Sequence, residues 1–512
     1  MKQVNTLLLI LFVTAFFGAC KKELPTRIEY DSYEYERLDE NGGEWTPILI
    51  PAVTDIPVEA PADITSETYK SELNEVREKI SGMTEADRES VKYWGNNPVN
   101  RWNEIALELV AKYNLIPGPN ADGTYTLPDP ENPDGPSPFP FSHPPYAVRA
   151  LAYLSVAQFD GLITAWHYKF TYNRMSPHVN DAGISPAYVD NNLPSYPSDG
   201  AVIAATSREV LTAMFPLEAD YLATMEEAHY ESLMHSGENV PSDIEAGKKI
   251  GEAIAEMALE RAANDGMKYA QCSKAASDSI KQAAFDRFGW AWDNLEIPER
   301  PVGLTPLFSQ VDMWYVENVE DVRPVAPPSP DSPEFAEDVE LLKEYANNMT
   351  EEYRSIANFW QDGLGTYTPP GHWNRIAKEL IVQYKLNPLR TARTYAYLNI
   401  AMMDAGISCW DAKYYYHYPR PIQLIDDFET IAGTPNFPSY TSGHSVFSAA
   451  GAEILAYIFP AEAGQMNAWA EEAAISRVYG GIHWSFDATV GTDQGRNVAS
   501  YTLEHAYGDG AD

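Results

Sequence analysis

A chain of 512 residues with 45% hydrophobic content is long enough to bury a full core, which excludes disorder of the whole. Its 74 acidic residues against 36 basic ones give a formal net charge of −38, and this excludes a broad nucleic-acid-binding surface, because phosphate backbones repel such a charge. A local cluster of cations in such a chain is therefore a specific feature.

Residues 1–20 (MKQVNTLLLILFVTAFFGAC) carry a lysine near the start, an apolar stretch over 7–17 and small residues before Cys20. The pattern predicts an export signal over 1–19, with Phe17-Gly18-Ala19-Cys20 resembling a bacterial lipobox in which Cys20 is lipidated. The apolar stretch is too short for a permanent span. A polar tether over 20–44 follows. The expectation is an exported lipoprotein of the cell envelope, at the outer membrane on its periplasmic or surface face, touching the membrane only through its anchor. An ordinary signal peptide that happens to carry Cys20 is the alternative. Cys272 and Cys409 are left either to pair in an oxidising compartment or to stay as buried thiols.

The chain then repeats itself. Trp102-Asn103, Ile105-Ala106, Glu108-Leu109 and Tyr113 recur as Trp373-Asn374, Ile376-Ala377, Glu379-Leu380 and Tyr384. Further on, a constant offset of 244 carries Arg149, Tyr153, Asp160, Trp166 and Lys169 onto Arg393, Tyr397, Asp404, Trp410 and Lys413, and Pro194-Ser195-Tyr196 onto Pro438-Ser439-Tyr440. Such a sustained register predicts an internal duplication: a first unit over 45–265, a connection over 266–313 and a second unit over 314–512. Apolar residues at three- and four-residue spacing predict helices over 102–113, 147–166, 202–214, 244–263, 373–384, 391–407, 445–458 and 466–477, without an alternating strand series. The fold class is all-α, two related helical bundles. Prolines across 116–145 forbid a helix there, and the stretch is expected to lie over the surface as a loop.

Chemistry concentrates over 413–487. Lys413 and Arg420 flank an aromatic run closed by Pro421, whose ring is expected to stop a helix. A lone Lys/Arg pair is usually a solvated surface feature. Ser442-Gly443-His444 stands just before an apolar helical pattern, where a hydroxyl and free N–H groups make an anion site, although serine is also a common cap. In Ser476-Arg477…His483…Asp487, Gly480-Gly481 is expected to break a helix and Asp487 to sit one turn from His483, holding its imidazole in one tautomer. A single histidine beside a tryptophan is more often a core residue, but all three pieces occur in order. In the first unit His444 is replaced by Gly200, Arg477 by Leu233 and His483 by Asn239, while Lys169, Ser198, Ser232 and Asp243 match; Arg420 falls opposite Ser176. The reactive residues are therefore not demanded by the bundle itself.

Lys-x6-Arg-Pro, Ser-Gly-His and Ser-Arg-x5-His-x3-Asp together resemble the three-part signature shared by the vanadium-dependent haloperoxidases and the type 2 phosphatidic acid phosphatases, bacterial acid phosphatases included. Thr441 departs from the usual proline before Ser-Gly-His, which the first unit keeps as Pro197, and a slightly different turn is expected. The resemblance implies that Lys413, Arg420, Ser442, Gly443 and Arg477 hold the oxygens of vanadate or phosphate, with His483 as apical partner. In a haloperoxidase His483 would ligate the vanadium of vanadate, His444 would handle protons, and halide would be oxidised by hydrogen peroxide to hypohalous acid. In a phosphatase His483 would form a phosphohistidine, His444 would serve the leaving alcohol and then water, and Asp487 would orient His483; no cofactor would be needed. Trp410 and Phe437, the Phe437-Pro438-Ser439-Tyr440 run and the two-bundle chain resemble the haloperoxidase branch, so vanadate is the expected cofactor and small molecules, halide and peroxide or a phosphomonoester, the expected partners. A third possibility, on composition, is a non-catalytic glycan-binding lipoprotein with its 32 Tyr and 12 Trp.

Overall fold

The computed structural model describes residues 35–115, 120–124, 141–188, 193–296 and 299–511. The export signal, Cys20 and most of the tether lie outside the described residues, as do 116–119 and 125–140 of the proline-rich stretch. Among the described residues there is no strand, and no helix is long and apolar enough to cross a membrane.

The first half runs α1 (Glu67–Ser81), α2 (Glu85–Gly95), α3 (Pro98–Tyr113), α4 (Pro144–Tyr172), α5 (Asp199–Met214), α6 (Ala219–His235) and α7 (Pro241–Asn264). After α8 (Lys274–Phe288) the order returns as α9 (Pro333–Asn347), α10 (Glu351–Phe359), α11 (Thr368–Gln383), α12 (Pro388–Tyr416), α13 (Gly443–Ile458), α14 (Ala463–Tyr479) and α15 (Ser485–Gly508). From α4 against α12 onward, equivalent helices start 244 positions apart.

The centre is the α4–α12 pair, each 29 residues long and buried along nearly its whole length. Proline in the first turn suits a helix start, since its missing N–H would have had no partner there. Both helices end on a left-handed residue, Asn173 and His417, each at φ 49°. The N–H of each returns to a lysine carbonyl, Lys169 at 2.8 Å and Lys413 at 2.9 Å. Lys413 is thereby fixed in the last turn of a core helix. His417, and not Pro421, ends α12; Pro421 instead opens a one-turn helix, Pro421–Leu424, because a fixed φ near −65° starts helices as readily as it interrupts them.

Helix α15 packs on the N-terminal turn of α13 through glycine. A Cβ on Gly495 would meet Val446 O at 2.3 Å and one on Gly491 would meet Ser442 O at 3.1 Å. This close approach sets the Ser442 turn against the start of α15, and Ser442 N donates to Asp487 O at 3.1 Å.

Two buried carboxylates anchor the incoming chain to the central helices. Asp160 accepts from the N–H groups of Ile48, Leu49 and Ile50 at 2.6–3.0 Å. Asp404, at the equivalent place, accepts from Trp314 N at 2.8 Å and Tyr315 N at 3.0 Å. A buried N–H left without an acceptor costs about 1–3 kcal/mol. Asp404→Ala is therefore expected to lower the unfolding free energy by about 3 kcal/mol, read from the urea midpoint; a change below about 1 kcal/mol would contradict it.

The spacing pattern did not locate α1, α2, α6, α8, α9, α10 or α15. Helix α1 buries only Tyr69, Leu73 and Val76 among many charged residues, and α15 carries Gly491, Gly495, Thr489 and Thr492, which lower its helical signal. Cys272 and Cys409 are both free and buried.

Candidate oxyanion site

Four segments bring the chemistry of 413–487 together. Lys413 is wholly buried, and its ammonium donates to Pro438 O at 3.1 Å, Ser439 O at 2.9 Å and Thr441 O at 2.5 Å. It therefore clamps the segment that leads into Ser442 while delivering a charge beneath it. Arg420 caps the one-turn helix and donates through Nη1 to Ile482 O at 2.7 Å, with Nε and Nη2 each 3.1 Å from Phe437 O. Arg477, near the end of α14, donates through Nε to Ser476 Oγ at 2.9 Å and through Nη2 to Ala357 O. Burial lowers the Lys413 ammonium from its ordinary value and brings Arg420 and Arg477 each down to about 10.

Ser442 is the N-cap of α13, accepting from Ser445 N at 3.4 Å. The first N–H groups of a helix have no intrahelical partners, so the turn from Gly443 presents donors to an anion. The turn does not differ between the halves, contrary to the expectation drawn from Thr441. Ser442 has φ −69°, ψ 118° and Ser198 has φ −69°, ψ 117°, and both Tyr440-Thr441 and Tyr196-Pro197 are cis.

His483 lies in the loop between α14 and α15, where Gly481 takes φ +73°. Its Nδ1 is 2.8 Å from Asp487 Oδ2 and its Nε2 3.0 Å from Arg420 Nη1. Arginine can only donate, so Nε2 is the acceptor and the ring carries its proton on Nδ1, toward Asp487. Burial, then Arg420 and Lys413, hold the imidazole well below its ordinary pKa. Burial also raises the Asp487 carboxyl against the opposing pull of Ser439, Lys413 and Arg420. The His444 ring reaches Gln361 O through Nε2 at 3.3 Å, and burial beside Arg477 holds it well below its ordinary pKa.

Of these residues Gly443, His444, Arg477 and His483 line a cavity of about 570 Å³, with Trp410 and Phe437 in its wall, their ring centroids 5.1 Å apart. Residues 394–505 match the family model of the PAP2 superfamily. Vanadium chloroperoxidase of Curvularia inaequalis is 28% identical over 130 residues, which cover 18% of this chain and 21% of that protein. The match thus spans about a fifth of the length of that curated relative. Among solved structures, a bacterial vanadium-dependent iodoperoxidase superposes with a TM-score of 0.58 at 21% identity, covering 79% of this chain and 96% of its own. The holo form of a bacterial vanadium-dependent chloroperoxidase gives 0.51 at 13% identity, covering 77% and 98%. Over residues 394–505 the chain is thus similar to the PAP2 superfamily, and its fold is that of the vanadium-dependent peroxidases it superposes on.

The residues of the site fit a multivalent tetrahedral oxyanion. Three buried cations converge with the Ser442 hydroxyl and the α13 N-terminus, while the Asp487 carboxylate is spent on His483. The first half is closed to such a guest. Lys169 pairs with Asp199 at 2.9 Å, where the second half has Gly443, and Arg174 pairs with Asp243. Leu233 lies so close that a Cβ on Gly200 would meet it at 2.6 Å, and the space left is about 70 Å³.

Several contributors escaped the sequence reading. Ser439 donates to Asp487 Oδ2, as Ser195 does to Asp243 at 3.3 Å in the first half. The repeated Pro-Ser-Tyr run was the signal for it. The loop after α10 supplies Gln361 and also Asp362, which lines the cavity at φ +41° and holds His372 Nδ1 at 3.0 Å. The proline-rich stretch does not simply cover the surface: its described end, Phe141 and His143, lines this cavity together with Asn114. The correction has a packing cause, since Ser142 N is tied to Tyr113 O at 2.9 Å at the end of α3 and this draws the chain inward.

Proposed function

We propose that this protein is a vanadate-dependent haloperoxidase, oxidising halide with hydrogen peroxide. The observation that carries the reading is an acceptor nitrogen, His483 Nε2, bonded to the buried Arg420 and facing, with Arg477 and Gly443, an aromatic-walled cavity. The sequence likeness to a vanadium chloroperoxidase and the shared fold of two bacterial vanadium-dependent peroxidases support it.

In this reading Lys413, Arg420, Ser442, Gly443 and Arg477 would hold the oxygens of vanadate and His483 Nε2 would ligate its vanadium. Bound there, vanadate supplies the activation of hydrogen peroxide toward a two-electron oxidation of halide. The fixed cations stabilise anionic charge without reorganising when it develops. Arg420 keeps Nε2 unprotonated, Asp487 keeps the proton on Nδ1, and His444, neutral near pH 7, is placed to take and return a proton at the cavity floor. Export and anchoring through Cys20 belong to the same proposal. The test is reconstitution: protein loaded with vanadate is expected to turn over iodide or bromide with peroxide, followed as triiodide or by bromination of a dye. Bound vanadate with no activity on any halide would sink the reading.

The His483–Asp487 pair, an imidazole whose unprotonated nitrogen accepts from Arg420, also suits attack on phosphorus. An acid phosphatase acting through a phosphohistidine at His483 is therefore the second reading. Rapid hydrolysis of 4-nitrophenyl phosphate by vanadate-free protein would establish it. The glycan-binding reading rested on composition and gains nothing from the cradle.

A further inference from the structure

Thr441 stands where the first half has Pro197, and the residues near it changed as well. At the same offset of 244, Gln494 takes the place of Ile250 and Ser408 that of Thr164. The two halves keep one turn by different means. In the first half Ile250 is a buried apolar side chain, and Thr164 turns its hydroxyl back to Asp160 O on its own helix at 2.9 Å. In the second, three buried polar side chains join in one run of hydrogen bonds. Thr441 Oγ1 donates to Gln494 Oε1 at 2.6 Å, Gln494 Nε2 to Ser408 Oγ at 2.7 Å, and Ser408 Oγ to Val322 O at 3.3 Å. Both ends of the Gln494 amide are thus matched, which is the condition for burying it without a large cost. The first half shows that the bundle accepts isoleucine at this place, so packing alone does not call for the amide.

The run of hydrogen bonds ends on the cradle. Thr441 gives its hydroxyl to Gln494 and offers its carbonyl to the Lys413 ammonium, which donates to it at 2.5 Å. In the first half the equivalent lysine is bonded to Pro194 O and Asp199. Thr441 also directly precedes Ser442, the cap of α13. Gln494 follows Asp487 by seven residues on α15, two helical turns along the same face. One face of α15 therefore holds His483 through Asp487 and the Lys413 side of the cradle through Gln494 and Thr441.

We propose that Gln494 is a positioning residue for oxyanion binding: it locks Thr441 so that the Thr441 carbonyl directs the Lys413 ammonium and the Ser442 turn stays seated. The proposal rests on the reading of the site as an oxyanion cradle and is the same whether vanadium or phosphorus sits in it. Gln494 acts through Thr441 and not on the guest.

The test is binding of orthovanadate and of inorganic phosphate to the full chain by equilibrium dialysis, with the urea midpoint measured alongside. Thr441→Val replaces only the hydroxyl, and Gln494→Met removes the amide while keeping an unbranched side chain. Each is expected to weaken both anions about tenfold, the scale of one buried polar partner left unmatched, in protein that remains folded. Thr441→Ser, which keeps the hydroxyl, should bind within about threefold of wild type. Thr441→Pro and Gln494→Ile are each expected to lose about tenfold alone, but together they recreate the Pro197 and Ile250 pair of the first half and should recover binding to within about threefold of wild type. Undiminished binding by Thr441→Val and Gln494→Met overturns the proposal, as does a double variant that loses as much as its two single changes combined. If Gln494→Met does not fold, the comparison of Thr441→Ser with Thr441→Val decides, and equal affinities overturn the role. Wild-type protein that binds neither anion removes the oxyanion reading and the role of Gln494 with it, a result distinct from loss of the role alone.

Discussion

Vanadate-loaded His483→Ala protein is expected to lose halide oxidation by about a thousandfold or more, the scale of removing a directly engaged catalytic group. His483 is the one ring whose free nitrogen meets both Arg420 and the cradle, with its other nitrogen held by Asp487. Alanine leaves Asp487 its bonds from Ser439 and Trp484 N, so the α15 start retains its cap and the variant should remain folded. Circular dichroism and the urea midpoint check that point separately. Activity within about tenfold of wild type in a folded variant would refute the role given to His483. Under the phosphatase reading the same variant should instead abolish phosphomonoester hydrolysis and the acid-labile phosphoryl-protein formed on mixing.

Arg477→Leu is expected to weaken vanadate and phosphate binding by about a hundredfold or more while leaving the fold intact. The guanidinium is 1% exposed, and a buried charge–anion contact is worth about 2–5 kcal/mol when one partner is truncated. The first half supplies the comparison, because Leu233 already stands at the equivalent place on α6 in an intact bundle. Equilibrium dialysis with vanadate and a urea titration separate the two effects. Undiminished binding would show that Lys413 and Arg420 suffice. Loss of folding would show that leucine at this place depends on Gly200 opposite it, which the second half replaces with His444.

The cradle was legible because its parts are close in the chain and sit where helices begin and end. Lys413, Arg420, Ser442, Arg477 and His483 each occupy the last turn, cap or flanking loop of a helix that periodicity or proline and glycine had already marked. The duplication added the register, and with it the contrast of Leu233 against Arg477. What stayed hidden depends on packing between distant segments. Nothing in the composition of 359–367 announces that Gln361 and Asp362 face His444 and the cavity, and nothing in 141–143 announces a wall of the other half's pocket. Helix α15 was obscured by the glycines that let it touch α13, so the residues that build the site also weakened the helical signal. Thr441 shows the converse: a departure from the family's proline altered neither backbone angles nor the cap at Ser442.

The wall formed by Asn114, Phe141 and His143 gives the first half a hold over the second. A half without the cradle would be free to drift if it only propped up its twin. Here it forms part of the wall of the candidate site, so changes at these three positions would alter what the cavity admits without touching a cradle residue. The shape of the cavity can thus change in one half of the chain while the cation cluster is kept in the other.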